Sequence, residues 1–280
     1  MRDADCVAFL QWALPRLDLR WPGFRKVRGQ VCKRIRRRMH DLGIASFAAY
    51  RDRLETDPQE WRVLDGCCHI TISRFYRDRG VFDILRDKVL PEIAAQARRQ
   101  HRAARCWSAG CASGEEPYTL KILWDLDVAP RFDGVGLEIV ATDIDEAVLN
   151  RARTACYPPG SLRELPAGFV SQAFDSRDGQ FCVRPAHCET VAFLRQDLRV
   201  DAPDGPFDLV LCRNAAFTYF APRLQRQALE RIIARLSRPG WLVVGTHEDL
   251  PSTVSGLDPL PHTREIHVLR NGVGPKDFEG

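Results

Sequence analysis

Between Cys106 and Leu120 the chain reads CWSAGCASGEEPYTL, two glycines, small polar residues and two adjacent glutamates set between an apolar run and a helical one. A glycine-bearing turn that closes a strand and opens a helix belongs to a crossover unit, in which a parallel strand hands over to the helix covering its sheet. The flanking sequence repeats that alternation. RCWSAG reads as a buried strand, EEPYTLKILWDL as a helix, LEIVATDID as a strand and EAVLNRARTA as a helix. FDLVLCRN, the helix RLQRQALERIIARLS stopped by Pro239-Gly240, WLVVGTH and REIHVLR continue the series. The fold class is therefore α/β, with a mostly parallel sheet covered on both faces.

The N-terminal part reads differently. From Val27 to about Arg99 the pattern is helical. In VRGQVCKRIRRRMHDLG, Val31, Ile35, Met39 and Leu42 recur at helical spacing, Lys33, Arg34, Arg36, Arg37 and Arg38 fill the remaining circumference, and Gly43 ends the helix. A second helix starts at Ser46, a third follows Pro58, and RGVFDILRDKVLPEIAAQARRQ forms another, broken near Pro91. The expected division is a helical domain over residues 1–98 and a sheet domain over 99–280. Within the latter, an Asp-Gly turn between two short alternating runs predicts a small antiparallel hairpin insertion over about residues 172–196.

Composition narrows the function classes. Charge breaks every apolar run well short of the roughly 20 residues that cross a bilayer, and the N-terminus carries no cleavage pattern, so membrane insertion is not expected and a cytoplasmic location is. The net charge of +4 does not by itself call for nucleic acid. Ten scattered cysteines lack the two-residue spacing of a zinc knuckle, which predicts reduced thiols and no metal site.

The turn itself indicates the ligand. Gly110 and Gly114 let backbone approach a nucleotide-like molecule, but the spacing is neither that of a dinucleotide site nor that of a Walker loop. Glu115 and Glu116 at the helix start suit the helix dipole and would repel a phosphate, so the ligand should be cationic or zwitterionic. Asp143, closing the second strand in ATDID, stands where an acid accepts both ribose hydroxyls, with Asp145 as the helix cap. An adenosyl ligand with positive charge and no phosphate describes S-adenosylmethionine.

WSAGCASGEEPYTL, ATDIDEAVLNRART, FDLVLCRN followed by Tyr219-Phe220, and the upstream ISRFYRDRGVF resemble, in order, segments of the CheR-type chemotaxis receptor methyltransferases, from about Val31 to Glu248. The resemblance implies a Rossmann-like class I methyltransferase sheet with a small antiparallel β insertion, preceded by an all-α domain. It implies transfer of a methyl group from S-adenosylmethionine to glutamate side chains of chemoreceptors, leaving S-adenosylhomocysteine. By the same resemblance, Thr71, Ser73, Arg77, Glu116, Asp143, Asp197, Leu198, Arg213 and Asn214 match cofactor contacts. Arg77 matches an arginine near the transferring methyl, and Tyr219 an active-site tyrosine. The basic helix, with Arg34, Arg37 and Arg38, resembles the face offered to acidic receptor helices.

Some features depart from the family. AAFT between Asn214 and Tyr219 is one residue longer than usual, Thr71 is shorter than the asparagine it replaces, and THEDLP stands for a more usual His-Ser-Glu run. No receptor-binding tail motif is visible. These put the acceptor in question more than the cofactor, and keep open a same-fold enzyme acting on a small molecule or a non-chemotaxis protein, and a non-catalytic S-adenosylmethionine-binding signalling module. Nucleic acid is disfavoured, because the position after FDLVLC holds RNAAFTYF rather than the Asn/Asp-Pro-Pro-aromatic run of adenine methylases.

Overall fold

The computed structural model describes residues 3–251 and 256–270, so the last ten positions of the expected sheet domain lie outside the described residues. Two compact units form: Met1–Ile70 with Thr218–Gln225, and Thr71–Phe217 with Arg226–Gly280.

The helical unit contains α1 (Asp3–Ala13), α2 (Trp21–Phe24), α3 (Arg28–Asp41), α4 (Phe47–Thr56) and α5 (Pro58–Cys68). The stripe predicted on α3 is buried at Val31, Ile35 and Met39, and packs with Phe9, Tyr50 and Leu64. Gly43 takes φ +69° after α3, and the Ser46 hydroxyl caps α4 by accepting the Ala49 N–H at 3.2 Å. One carboxylate crosses the core. Glu60, 2% exposed, accepts from Arg38 Nε and Nη2 at 3.0 and 2.7 Å and from the Tyr50 hydroxyl at 2.7 Å. The returning segment Thr218–Gln225 pairs with the chain after α1: Leu19 bridges Phe220, and Arg20 N donates to the Tyr219 carbonyl at 2.9 Å.

In the second unit the order is α6 (Arg79–Ile84), α7 (Leu90–Arg99), β1 (Ala104–Ala109), α8 (Glu115–Leu123), β2 (Leu137–Asp143), α9 (Glu146–Thr154), β3 (Cys156–Tyr157), α10 (Ala167–Ala173), β4 (Phe174–Arg177), β5 (Gln180–Val183), β6 (Val191–Arg195) and β7 (Phe207–Cys212). There follow α11 (Ala216–Tyr219), which runs into the segment belonging to the helical unit, then α12 (Pro222–Arg235), β8 (Leu236–Val244), β9 (Leu257–Pro259) and β10 (Ile266–Leu269). The seven-stranded sheet has the order β6-β2-β1-β7-β8-β10-β9, parallel from β6 to β8 and antiparallel at β10 and β9. Six of six residues of β7 are buried, as a central strand covered on both faces requires.

Three expectations need correction. The division falls at Ile70–Thr71, not at residue 98, because the apolar faces of α6 and α7 (Phe82, Leu90, Ile93) share the core of the sheet unit. The insertion is placed and built differently from residues 172–196. Its Asp178-Gly179 turn does join β4 to β5, with φ +50° and +74°, but β3 completes a separate sheet in the order β3-β5-β4, while Val191–Arg195 pairs with β2 in the main sheet. Finally, four cysteines are not free thiols. Cys6 on α1 bonds Cys32 on α3, and Cys156 bonds Cys182 at directly opposed positions of β3 and β5. Each pair is 26 residues apart, a separation that no local spacing rule detects. The helix interruption near Pro91 is a π-turn over Leu85–Val89, which lets the helix run past a residue lacking an N–H.

Arg38 holds the Glu60 carboxyl below the ordinary carboxylate range. Its contribution is therefore present above the unfolded value and lost as pH falls through the folded one. Glu60→Ala should cost about 2–3 kcal/mol in urea unfolding at pH 7. The gap to wild type should narrow in acid; a pH-independent gap would reject the charged contribution.

Candidate functional site

Chain order places a topological switch between β1 and β7. β1 is followed by β2 and then β6 on one side, whereas β7 and β8 lie on the other. In such sheets the crevice for a ligand opens at the carboxyl ends of the strands flanking the switch. The turn after β1 and Arg213-Asn214 after β7 occupy those ends.

The turn needs its glycines. Gly110 has φ +79°, and a Cβ there would lie 2.9 Å from that of Ala215. Gly114 has φ +89°, and a Cβ would lie 2.9 Å from that of Ala152, 3.1 Å from the Tyr157 hydroxyl and 3.2 Å from Phe193. The loop is tied to β2: Gly110 N and Cys111 N donate to the Thr142 carbonyl, and Ala112 N to Asp143 Oδ2 at 2.9 Å. Asp143 Oδ1 takes the Asp145 N–H at 3.0 Å, and Asp145 caps α9 through Ala147 N at 2.8 Å, as expected. Asp143 thus ties the turn to the end of β2 and to the start of α9. The loop after β6 joins it, since Gln196 N donates to the Asp143 carbonyl at 3.0 Å. There Asp197 accepts from Arg199 N and Nε, with half-buried Leu198 between them.

Arg213 organises the other side. Its side chain is 2% exposed and pairs with Glu116 Oε2 at 3.0 Å and Asp78 Oδ2 at 2.8 Å, while also donating to the Arg77 carbonyl at 2.7 Å. The Phe82 ring lies under the guanidinium, 5.0 Å away. Ser108 Oγ donates to the other Glu116 oxygen at 2.7 Å. Arg77 in turn donates to Asn214 Oδ1 and to the Ile72 carbonyl, both at 3.1 Å. The Arg77 segment is unusual in backbone as well: Tyr76 and Asp78 take φ +58° and +62°, a left-handed geometry costing roughly 1–2 kcal/mol per non-glycine residue. Thr119 Oγ1 accepts the Tyr76 N–H at 3.1 Å, and Phe75 N donates to the Ser161 carbonyl, so the distortion is held by tertiary bonds.

Glu115 differs from its neighbour. It is 5% exposed and burial pushes its carboxyl above the usual range, opposed by its own backbone N–H and the Ser73 hydroxyl. Its Oε2 is buried without a hydrogen-bond partner. Tyr157 of β3 donates to the Ser113 carbonyl at 2.7 Å, so the small antiparallel sheet buttresses the turn.

The structure therefore brings Arg77, Gly110, Glu116, Asp143, Arg213 and Asn214 to one strand-end edge, with Ser73 reaching the same helix start through Glu115. Thr71 opens the segment leading to Arg77. Tyr219 belongs to the helical unit, where its ring packs 5.0 Å from that of Phe24. Of the basic helix, Arg37 is exposed, Arg38 is committed to Glu60, and Arg34 donates to the carbonyls of Cys67 and His69. Sequence reading missed Asp78, Ser108, Tyr157 and Glu248. Asp78 adjoins Arg77 and Ser108 lies on the strand entering the turn, but nothing local marks Tyr157 or Glu248, which arrive from other parts of the chain.

The donor set fits a cationic nucleoside: carboxylates at Glu116 and Asp143, a glycine cradle that a Cβ would fill, and a buried unpartnered carboxyl oxygen at Glu115. Among the described residues no cluster of His, Cys, Asp or Glu could hold a metal, and no helix is long and apolar enough to cross a membrane.

Comparison with known proteins agrees with this geometry. Residues 71–266 match the family model described as the CheR methyltransferase SAM binding domain, and residues 26–64 the one described as the CheR methyltransferase all-alpha domain. A chemotaxis protein methyltransferase of Salmonella typhimurium is 32% identical over 238 residues, covering 81% of this chain and 78% of that protein. One from Listeria innocua is 33% identical over 181 residues, covering 65% and 66%. An uncharacterized 104.1 kDa protein of Rhodobacter capsulatus is 33% identical over 252 residues, covering 88% of this chain, which spans only 26% of that longer protein. With both family domains in order and the glycine turn at the sheet's switch point, the chain belongs to the CheR methyltransferase family.

Proposed function

We propose that the chain transfers the methyl group of S-adenosylmethionine to a glutamate side chain of an acidic, chemoreceptor-like protein in the cytoplasm, leaving S-adenosylhomocysteine. The observation that carries this reading is the convergence of the Gly110–Gly114 turn, Asp143, Glu116 and the Arg213–Asn214 strand end on one edge of the sheet. S-adenosylmethionine, when bound, supplies an electrophilic methyl group on a sulfonium.

The chain's residues bind and orient. Asp143 accepts from the ribose hydroxyls. Glu116, fixed by Ser108 and Arg213, keeps lone pairs to receive an ammonium group. Thr71, Ser73, Asp197 and Leu198 complete the cofactor wall. Arg77 holds a carboxylate, and Asn214 Oδ1 fixes the guanidinium's direction. A glutamate acceptor, with pKa near ~4.3, is ionised at neutral pH, so no general base is needed. What the enzyme must supply is alignment, worth roughly 7–11 kcal/mol, and exclusion of water. An acidic partner helix would meet Arg37 and Lys33 on the exposed side of α3, with Arg34 and Arg38 contributing charge from bonded positions.

Labelled cofactor and a receptor cytoplasmic fragment test the reaction: base-labile methyl incorporation is expected, and cofactor binding without transfer to any acceptor would sink it. Asp143→Ala should weaken S-adenosylhomocysteine binding at least about tenfold by calorimetry, the loss of two charge-assisted hydrogen bonds. Arg77→Ala should lower kcat more than cofactor affinity, and equal losses would remove its acceptor role. The turn also gives a pH test. Because the folded Glu115 carboxyl sits above its ordinary value, folding favours the neutral form, and stability falls as pH rises through the folded value. Glu115→Gln should melt higher than wild type at pH 8 and converge with it near pH 4; parallel curves would contradict this.

A further inference from the structure

The run THEDLP after β8, which departs from the family's usual sequence, has no part in the reading above. In the fold its glutamate turns back onto the sheet. Glu248 is 5% exposed, and its Oε2 accepts the Asn214 N–H at 2.8 Å and the Gly245 N–H at 2.6 Å. Asn214 follows β7 and Gly245 follows β8, and the register between these strands ends at Cys212 and Val244. One carboxylate oxygen thus supplies the next rung after the ladder has run out.

Asn214 explains why a rung is needed. Its φ of +54° turns the chain out of strand geometry just past β7, where its N–H has no partner strand to meet, and a buried N–H left unmet costs about 1–3 kcal/mol. The packing is close. A Cβ on Gly245 would lie 2.8 Å from Glu248 Oε2, 3.0 Å from Asn214 Nδ2 and 3.1 Å from Asn214 Cγ, so only glycine leaves room for the carboxylate and the amide side by side. The far end of the same amide, Oδ1, accepts from Arg77 Nη2 at 3.1 Å.

We propose that Glu248 is a positioning residue for methyl transfer: by bonding Asn214 N it fixes the left-handed turn, hence the direction of the Asn214 amide, hence the Arg77 guanidinium. This rests on the methyltransferase reading and extends it to a residue remote in sequence from the cofactor motifs. On this reading its effect on transfer passes through Asn214.

Three variants test it in the full chain. Glu248→Gln keeps an oxygen that accepts both N–H groups and should retain kcat within about threefold, since a neutral acceptor weakens but preserves the bonds. Glu248→Asp keeps the charge but shortens the reach by one methylene, and should lower kcat about tenfold or more with little change in acceptor KM, as expected when a reactive group is misplaced by about 1 Å. Asp249→Ala, which removes an exposed ion pair with Arg264, should leave activity unchanged. Amide hydrogen exchange supplies a readout independent of turnover: protection at Asn214 should survive in Glu248→Gln and fall in Glu248→Asp. Full kcat in Glu248→Asp, or a Gln variant as impaired as the Asp variant, would overturn the proposal. If wild type binds S-adenosylhomocysteine and methylates nothing, the methyltransferase reading fails instead, and exchange at Asn214 still decides whether Glu248 holds the turn.

Discussion

A single buried guanidinium holds the site together. Arg213 leaves the end of β7 with its side chain almost wholly out of solvent, and it is tolerated there because two carboxylates and a carbonyl surround it. Taking such a charge out of water costs several kcal/mol, which only close, well-directed partners offset. The partners come from separate places: Glu116 from the first turn of α8, Asp78 and the Arg77 carbonyl from the segment ahead of α6. Satisfying Arg213 therefore sets the spacing of three chain segments at once. The same bonds orient Glu116, leaving its remaining lone pairs directed by the protein.

Four of the nine non-glycine residues with positive φ among the described residues lie at these strand ends. Tyr76, Asp78, Ala112 and Asn214 all take positive φ without being glycine. Each is secured by bonds from elsewhere in the sheet unit: Tyr76 N by Thr119, Asp78 by Arg213, Ala112 N by Asp143 and Asn214 N by Glu248. Left-handed residues persist where the surroundings over-determine them. They direct side chains, Arg77 and Asn214 above all, toward the strand ends of the proposed cofactor site.

The helical unit shows how a charged face can mislead. Five basic residues on α3 read in sequence as one surface, yet Arg38 neutralises the buried Glu60 and Arg34 donates to carbonyls at the end of α5. Arg37 alone among the three arginines singled out stays fully at the surface. Residue type reports charge, whereas packing decides whether the charge is used inside or offered outside.

Periodicity and turn chemistry settled the α/β class, the α3 stripe, the Ser46 and Asp145 caps and the Asp178-Gly179 hairpin, because each depends on residues within a turn or two of one another. The glycine turn and Asp143 were legible for the same reason, as each lies at the end of a strand that can be recognised by itself. What the amino-acid order could not reveal are relations between distant segments: that α6 and α7 share the core of the sheet unit, that β3 completes the small sheet, that Cys6 meets Cys32 and Cys156 meets Cys182, and that Glu248 reaches Asn214. Those pairings follow from the sheet order and from burial of apolar faces, which are properties of the whole packed chain; no short window of residues encodes them.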